Sequence, residues 1–275
     1  MQLPLFESNR VQAPEQLGRA EIRSVEANSI LSPAKGKIDG WFDFSLNPYR
    51  GCGFGCTYCY AAFFVPEDVQ RAEWGKWVEV KANALERLSR NHDLGGKRIL
   101  MSSVTDPYQP VEQRTKLTRS LLEHLAERRE QPELTIQTRG PLVTRDIDVL
   151  GQFKKLRLNV SITTDSDDIR RRFEPHCASI ERRLDAVREL AAAGFDVWVA
   201  IAPMLPMRNP DEFAKKILDA GASGVWTSYF HSADRLFASS TGEAARLIAR
   251  EMGWNRDAFR RQRDALGRYI PRLAA

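Results

Sequence analysis

From Phe42 onward, short apolar runs alternate with segments whose apolar residues recur at helical spacing. Phe42–Leu46, Arg98–Val104, Glu133–Thr138, Leu156–Thr163, Asp196–Ala202 and Gly224–Phe230 are rich in Val, Ile, Leu or aromatic residues. Gly, Pro or Asp bound them, so each is predicted as a strand. Between them, Ile180–Ala193 carries Leu184, Val187 and Leu190 at three-residue steps, with Gly194 as a stop. Thr115–Arg129 and Asp211–Ala220 follow the same helical pattern. Six strand and helix alternations predict a parallel sheet with helical crossovers, in the form of a partial or closed β/α barrel. A doubly wound open sheet is the alternative, but no G-x-G-x-x-G opens the first strand-to-helix turn. Trp77–Leu88 predicts an added strand and helix, since WVEVK alternates and Leu85 and Leu88 follow on one face; the pattern does not assign the strand a place in a sheet.

Residues 1–37 are polar, with Pro4, Pro14, Gly18, Pro33 and Gly36 and no sustained periodicity, and are expected to be an arm or loosely attached extension. The barrel core is placed at 38–232. Residues 233–275 form a C-terminal extension with two predicted helices, Glu243–Met252 and Asn255–Tyr269. The second carries Arg256, Arg260, Arg261, Arg263 and Arg268, either as a solvated face or as a phosphate-binding strip.

The 275 residues, 43% hydrophobic and 28% charged, exclude disorder as the main state and fit either one large α/β domain or two small ones. No stretch reaches the ~20 apolar residues of a membrane span, and MQLPLFESNR has neither a basic nor an apolar leader region. A cytoplasmic location without membrane attachment is expected. The net charge of +5 permits an anionic partner without requiring one, because 36 acids are interspersed among the 41 bases.

Four cysteines are too few for a disulfide framework, and Cys52, Cys56 and Cys59 fall within eight residues. They lie in Asn47-Pro-Tyr-Arg-Gly-Cys-Gly-Phe-Gly-Cys-Thr-Tyr-Cys-Tyr-Ala61, a C-x3-C-x2-C arrangement in which Gly51, Gly53 and Gly55 let the backbone wrap a bulky centre. Three thiolates suit a [4Fe–4S] cluster with one iron left open to a substrate or cofactor. Structural zinc needs a fourth ligand, and only Cys177 could supply another thiol. Three buried cysteines acting as small hydrophobes are the remaining alternative. His92, His124, His176 and His231 are scattered singly, which favours surface or core roles over metal ligation.

The loop resembles that of the radical S-adenosylmethionine enzymes, whose C-x3-C-x-aromatic-C pattern is matched by Cys52, Cys56, Tyr58 and Cys59. NPYRGC, YCYA, TDPYQPVE, RDID, SITTDSD, FEP and IAPMLP narrow the resemblance to the spore photoproduct lyase-like, "DNA repair photolyase" branch over about residues 30–230. It implies a partial (β/α)6 barrel with the cluster loop at its C-terminal mouth. There S-adenosylmethionine would bind the open iron, be cleaved reductively, and yield a 5′-deoxyadenosyl radical that abstracts hydrogen from substrate.

By position, the resemblance places Tyr58 beside the adenine and Tyr60 near the cofactor. Thr105 and Asp106 would face its ammonium group, Arg139 its carboxylate, and Ser161 the ribose or carboxylate. Arg172 and Glu174 are expected as a local ion pair. Phe54 stands where relatives often carry His, and Ser103 where the lyase has its hydrogen-donating Cys; a Ser O–H is a much poorer hydrogen-atom donor. Cys177 is then the remaining thiol that could serve as donor, or simply a helix-start residue. The implied partners are an external electron donor such as flavodoxin or ferredoxin and a nucleic-acid substrate. A non-catalytic iron–sulfur sensor that binds nucleic acid is the competing class.

Overall fold

The computed structural model describes residues 11–231 and 241–274. The opening decapeptide and the start of the C-terminal extension, 233–240, lie outside the described residues.

The expectation of a loose arm fails for residues 16–33, which form β1 (Gln16–Leu17), β2 (Ala20–Val25) and β3 (Leu31–Pro33). Ala20 and Ile22 point inward while Glu21 and Arg23 point out, an alternation too short to stand out among the neighbouring Pro and Gly. It is stabilised by pairing with distant residues. After β4 (Phe44–Leu46) and β5 (Tyr49–Gly51), WVEVK forms β6 (Trp77–Lys81), parallel to β2 and antiparallel to β5. That answers where this segment sits: at the interior of a small four-stranded sheet, in the order β1-β2-β6-β5. Asn83 clamps the N-terminal segment beside it, accepting from the Ala27 amide at 2.8 Å and donating to the Ala27 carbonyl at 3.0 Å.

The remaining predicted strands appear as β7 (Arg98–Met101), β8 (Glu133–Thr138), β9 (Leu156–Ser161), β10 (Asp196–Ile201) and β11 (Gly224–Thr227), followed by a short β12 (Leu273–Ala274). Strands β4, β7, β8, β9, β10 and β11 are neighbours in that order, all parallel. Strand β3 adds antiparallel outside β4 and β12 adds parallel outside β11. These two outer strands do not meet, so the sheet is a partial barrel and not a closed one. Its strands and the helices on them contribute a continuous core that includes Ile99, Ile136, Leu158, Val199 and Val225.

The predicted helix Thr115–Arg129 is shortened at both ends to Leu117–Ala126, and a separate helical turn, Glu112–Thr115, precedes it across Lys116 with φ 49°. The cause is Glu112, fully buried, whose carboxylate accepts the Thr118 amide at 2.8 Å and so caps the second helix from the side. The same carboxylate accepts from the Tyr49 hydroxyl and from Arg145 Nη2 at 2.7 Å. Helix Ile180–Ala192 runs as expected, from a Ser179 cap on the Arg182 amide to Gly194 at φ 90°.

Candidate active site

The cysteine loop leaves β5, and its first turn depends on close approach of backbone to neighbours. Gly51 has φ 75°, and a Cβ there would lie 2.7 Å from both a Trp77 ring carbon and the Trp77 carbonyl oxygen. Gly55 has φ 56° and would bring a Cβ within 3.1 Å of the Gly75 Cα. Gly53 is different: its nearest neighbour would be 3.7 Å away, and its contribution is an amide that donates to Gln109 Oε1 at 2.8 Å. Two of the three glycines are therefore sterically required, not all three. Phe54 is buried in the core.

Residues beyond the carboxyl end of β7 hold this loop from below. Thr105 Oγ1 donates to the Gly51 carbonyl at 2.7 Å, and Gln109 Nε2 reaches Thr105 Oγ1 at 3.1 Å. Asp106 is buried, and its carboxylate accepts Thr138 Oγ1 at 2.6 Å, the Tyr108 amide at 2.9 Å and the Arg139 amide at 2.8 Å. Burial is the main influence on this carboxyl and pushes it above the ordinary range, partly offset by Arg139 and these bonds. Thr105 and Asp106 thus stitch the ends of β7 and β8 to the loop.

At the end of β8, Arg139 Nη1 donates to Cys56 Sγ at 3.2 Å, to the Tyr58 hydroxyl at 2.6 Å and to Glu174 Oε1 at 3.0 Å. Glu174 is the centre of the site's charge. Fully buried, it accepts from the Tyr58 hydroxyl, from Thr163 Oγ1 at 2.8 Å and, on Oε2, from Arg183 Nη2 at 2.5 Å. Burial works to raise its pKa, but the guanidiniums of Arg183 and Arg139 and the Tyr58 bond outweigh burial and hold the carboxyl at about 2. The expected Arg172–Glu174 pair is not formed. Arg172 is exposed and pairs instead with Glu251 of the C-terminal extension, because helix Asp167–Phe173 turns it outward.

The three loop thiols and Cys177 are all free. Cys177 is buried with its Sγ 3.7 Å from that of Cys56. Its S–H bond and then the Arg139 charge pull Cys56 below the usual thiol range, whereas burial drives Cys52 well above it and Cys59 up to about 12. Cys52 and Cys59 also feel Cys56 electrostatically, which raises both further. Among the described residues no three His, Cys, Asp or Glu side chains are gathered tightly enough for a lone metal ion.

Tyr60 donates to the Ser103 carbonyl and packs its ring 4.7 Å from that of His231. Ser103 Oγ accepts from Asn47 Nδ2 at 3.4 Å. Ser161, buried at the end of β9, accepts from Gln137 at 3.5 Å, and its carbonyl accepts Arg183 Nη1 at 3.1 Å. The structure joins Cys56, Cys177, Tyr58, Asp106 and Arg139 through side-chain contacts, with Cys52 and Cys59 on the same loop and Thr105, Tyr60 and Ser161 at its margin.

Sequence reasoning passed over Arg183, Gln109 and Asn47. Arg183 had a signal: it falls three residues after Ile180 on the helix face that also carries Leu184 and Val187, where an unpartnered cation could not be buried. Asn47 and Gln109 lie within the motifs NPYRGC and TDPYQPVE, but their role was not legible there, since each acts on backbone more than fifty residues away.

The profile of the Radical SAM superfamily matches residues 46–220, and the chain belongs to that superfamily. An uncharacterized protein of Methanocaldococcus jannaschii is 36% identical over 188 residues, covering 68% of this chain and 69% of the relative. One from Acidianus two-tailed virus is 31% identical over 211 residues, covering 70% and 68%. Among solved structures, spore photoproduct lyase with bound AdoMet and dinucleoside spore photoproduct superposes with a TM-score of 0.62 at 17% identity, over 86% of this chain and 67% of that one. Another mutant of the lyase gives 0.64 at 15% identity, over 90% and 78%. The likeness to the lyase is one of fold. Among the described residues no helix is long and apolar enough to cross a membrane.

Proposed function

We propose that this chain is a radical enzyme in which Cys52, Cys56 and Cys59 hold a [4Fe–4S] cluster and S-adenosylmethionine binds beside it. The observation that carries this reading is the donor set itself: three free, mutually interacting thiols on one glycine-turned loop at the carboxyl ends of the parallel strands. Three thiols at C-x3-C-x2-C suit a cluster with one open iron better than zinc, which takes four protein ligands in a structural site. When bound, the cluster would supply the electron that cleaves S-adenosylmethionine to methionine and a 5′-deoxyadenosyl radical. Flavodoxin or ferredoxin is the class of donor that fits.

The chain's own residues bind, orient and exclude. Tyr58 is buried, and its hydroxyl, pushed up chiefly by burial, stays neutral and donates to Glu174. Arg139 offers positive charge beside Cys56, where it would offset the charge of a ligating thiolate. Asp106 and Thr105 keep the loop in register with β7 and β8, with Asp106 presenting a carboxylate to an ammonium group and Ser161 lining the next strand end. Tyr60 packs its ring at a tilt against His231 just beyond the last loop thiol.

Anaerobic reconstitution should give about four iron and four sulfide per chain. Each of Cys52→Ala, Cys56→Ala and Cys59→Ala should lose the iron, and Cys177→Ala should keep it; iron analysis in which only the Cys177 variant fails would reverse the assignment. Asp106→Ala should weaken S-adenosylmethionine binding by about 1.5–3 kcal/mol while the cluster survives. An unchanged affinity, read by titration calorimetry, would leave Asp106 with the loop-holding bonds alone.

For substrate, nucleic acid is the reading we favour. Arg256 lies 5.1 Å over the ring of Tyr229, which packs with Phe230, Phe259 and the buried Trp254, so that a cation borders an aromatic edge of the core. The five arginines do not form one strip, however. At about 100° per residue, Arg256, Arg260 and Arg263 share one face while Arg261 and Arg268 lie on another, and Arg260 and Arg268 are paired with Asp257 and Asp211. Binding should therefore be weak and fall steeply with salt, without reversal of spore photoproduct, because the resemblance aligns Ser103 with the lyase's hydrogen-donating Cys. Absent or salt-independent binding in a salt series, run beside a variant with all five arginines neutralised, would point to a peptide or small metabolite. Binding without any cleavage of S-adenosylmethionine by the reduced protein would favour the iron–sulfur sensor.

A further inference from the structure

Cys177 sits outside the cysteine motif, yet its sulfur meets the motif's middle thiol. The 3.7 Å separation of Cys56 and Cys177 Sγ is, among the described residues, the one thiol–thiol contact, and it joins positions 121 residues apart. The two backbones are held together by bonds that involve neither sulfur. The Thr57 amide and hydroxyl both donate to the Phe173 carbonyl, at 2.9 and 3.2 Å. Arg170, itself buried, fixes the Cys177 segment by donating to the carbonyls of Glu174 at 3.1 Å and Cys177 at 2.9 Å. Arg139 Nη1 meets Cys56 Sγ from the β8 side. A thiol pair positioned by its surroundings in this way needs only a small movement of the two sulfurs to bond.

We propose that Cys56 and Cys177 form an oxidative modification site, a disulfide made by peroxide in the metal-free protein. In the first step one thiol takes an oxygen atom from hydrogen peroxide, giving a sulfenic acid and one water. In the second, the other thiol attacks that sulfur, the S–S bond forms, and the oxygen leaves with both remaining protons as a second water. The two thiols lose two electrons and the peroxide gains them. On the reading that Cys56 is a cluster ligand, the bond withdraws one of three ligands, so that the oxidised chain cannot be loaded until a dithiol reductant restores it. The surplus thiol would thereby prevent irreversible oxidation of Cys56 while the cluster is missing.

The test uses the full-length, fully reduced, metal-free protein treated with one equivalent of hydrogen peroxide, alkylated and digested without reductant. Mass spectrometry should find the Cys56 and Cys177 peptides joined, with Cys52 and Cys59 alkylated, and free thiols falling from four to two. Cys177→Ser should give no such link. Iron and sulfide uptake by the oxidised wild type should be lost and return with dithiothreitol. Recovery of Cys56 and Cys177 both alkylated, or of Cys56 joined mainly to Cys52 or Cys59, would overturn the proposal. If the expected link forms but neither the oxidised nor the reduced protein takes up iron, the cluster reading fails and the modification site stands.

Discussion

Replacing Glu174 by Ala is expected to destabilise the fold by about 3–5 kcal/mol, the usual consequence of leaving buried charge without its partner. Arg183 is almost wholly buried and Arg139 largely so, and both rely on this carboxylate. The Tyr58 hydroxyl and Thr163 Oγ1 would lose their acceptor as well. Glu174→Gln should fall between the variant and wild type, since it keeps an acceptor oxygen and loses the charge. The pH dependence has a definite sign. Folding lowers this carboxyl from 4.5 to about 2, so its contribution is complete above the unfolded value and is lost as pH falls through about 2. Urea unfolding of wild type and Glu174→Gln between neutral pH and pH 2 should show the gap between them closing on acidification. A constant gap would mean that the carboxylate is not ionised in the folded protein.

Gly51→Ala is the second large effect, and two independent costs combine. The left-handed backbone is about 1–2 kcal/mol less favourable for Ala. The added methyl, 2.7 Å from the Trp77 carbonyl oxygen, collides with backbone of β6 that cannot rotate away, and overpacking of this kind costs about 1–3 kcal/mol. Gly53→Ala, with 3.7 Å of clearance, should be nearly silent by comparison. Thermal melts of the two variants separate them, and equal losses would refute the assignment of the turn to Gly51. Because Gly51 immediately precedes Cys52, the first variant should also impair iron loading.

The order of the six parallel strands was legible because each buried strand is a short apolar run with sharp ends, and connection rules then leave few arrangements. The thiols were legible because their spacing is local. Strand β2 was not, since A-E-I-R-S-V alternates over too few residues to compete with the turn-forming residues around it, and its pairing with β6 is fixed by contacts across more than fifty positions. The break at Lys116 was hidden for a related reason: nothing in the helical pattern reveals that a side chain from the preceding turn takes over the capping. Glu174 was noticed but paired with Arg172, its neighbour in sequence, when burial required partners from β8 and from the following helix. Local reasoning assigns charges to near neighbours, whereas the folded core assigns them by depth.

The contact between Cys56 and Cys177 also sets a clock. At about 5–20 residues per second of synthesis, the 121 positions between them take roughly 6–24 s to appear. For nearly all of that interval the nascent chain carries Cys52, Cys56 and Cys59 without Glu174, and Arg183 comes later still, so Arg139 and Tyr58 lack the partners that fix them beside the thiols. The contacts of Arg139 and Glu174 about Cys56 are complete only after helix Ile180–Ala192 has docked, so on the proposed cluster reading loading would follow synthesis of that helix.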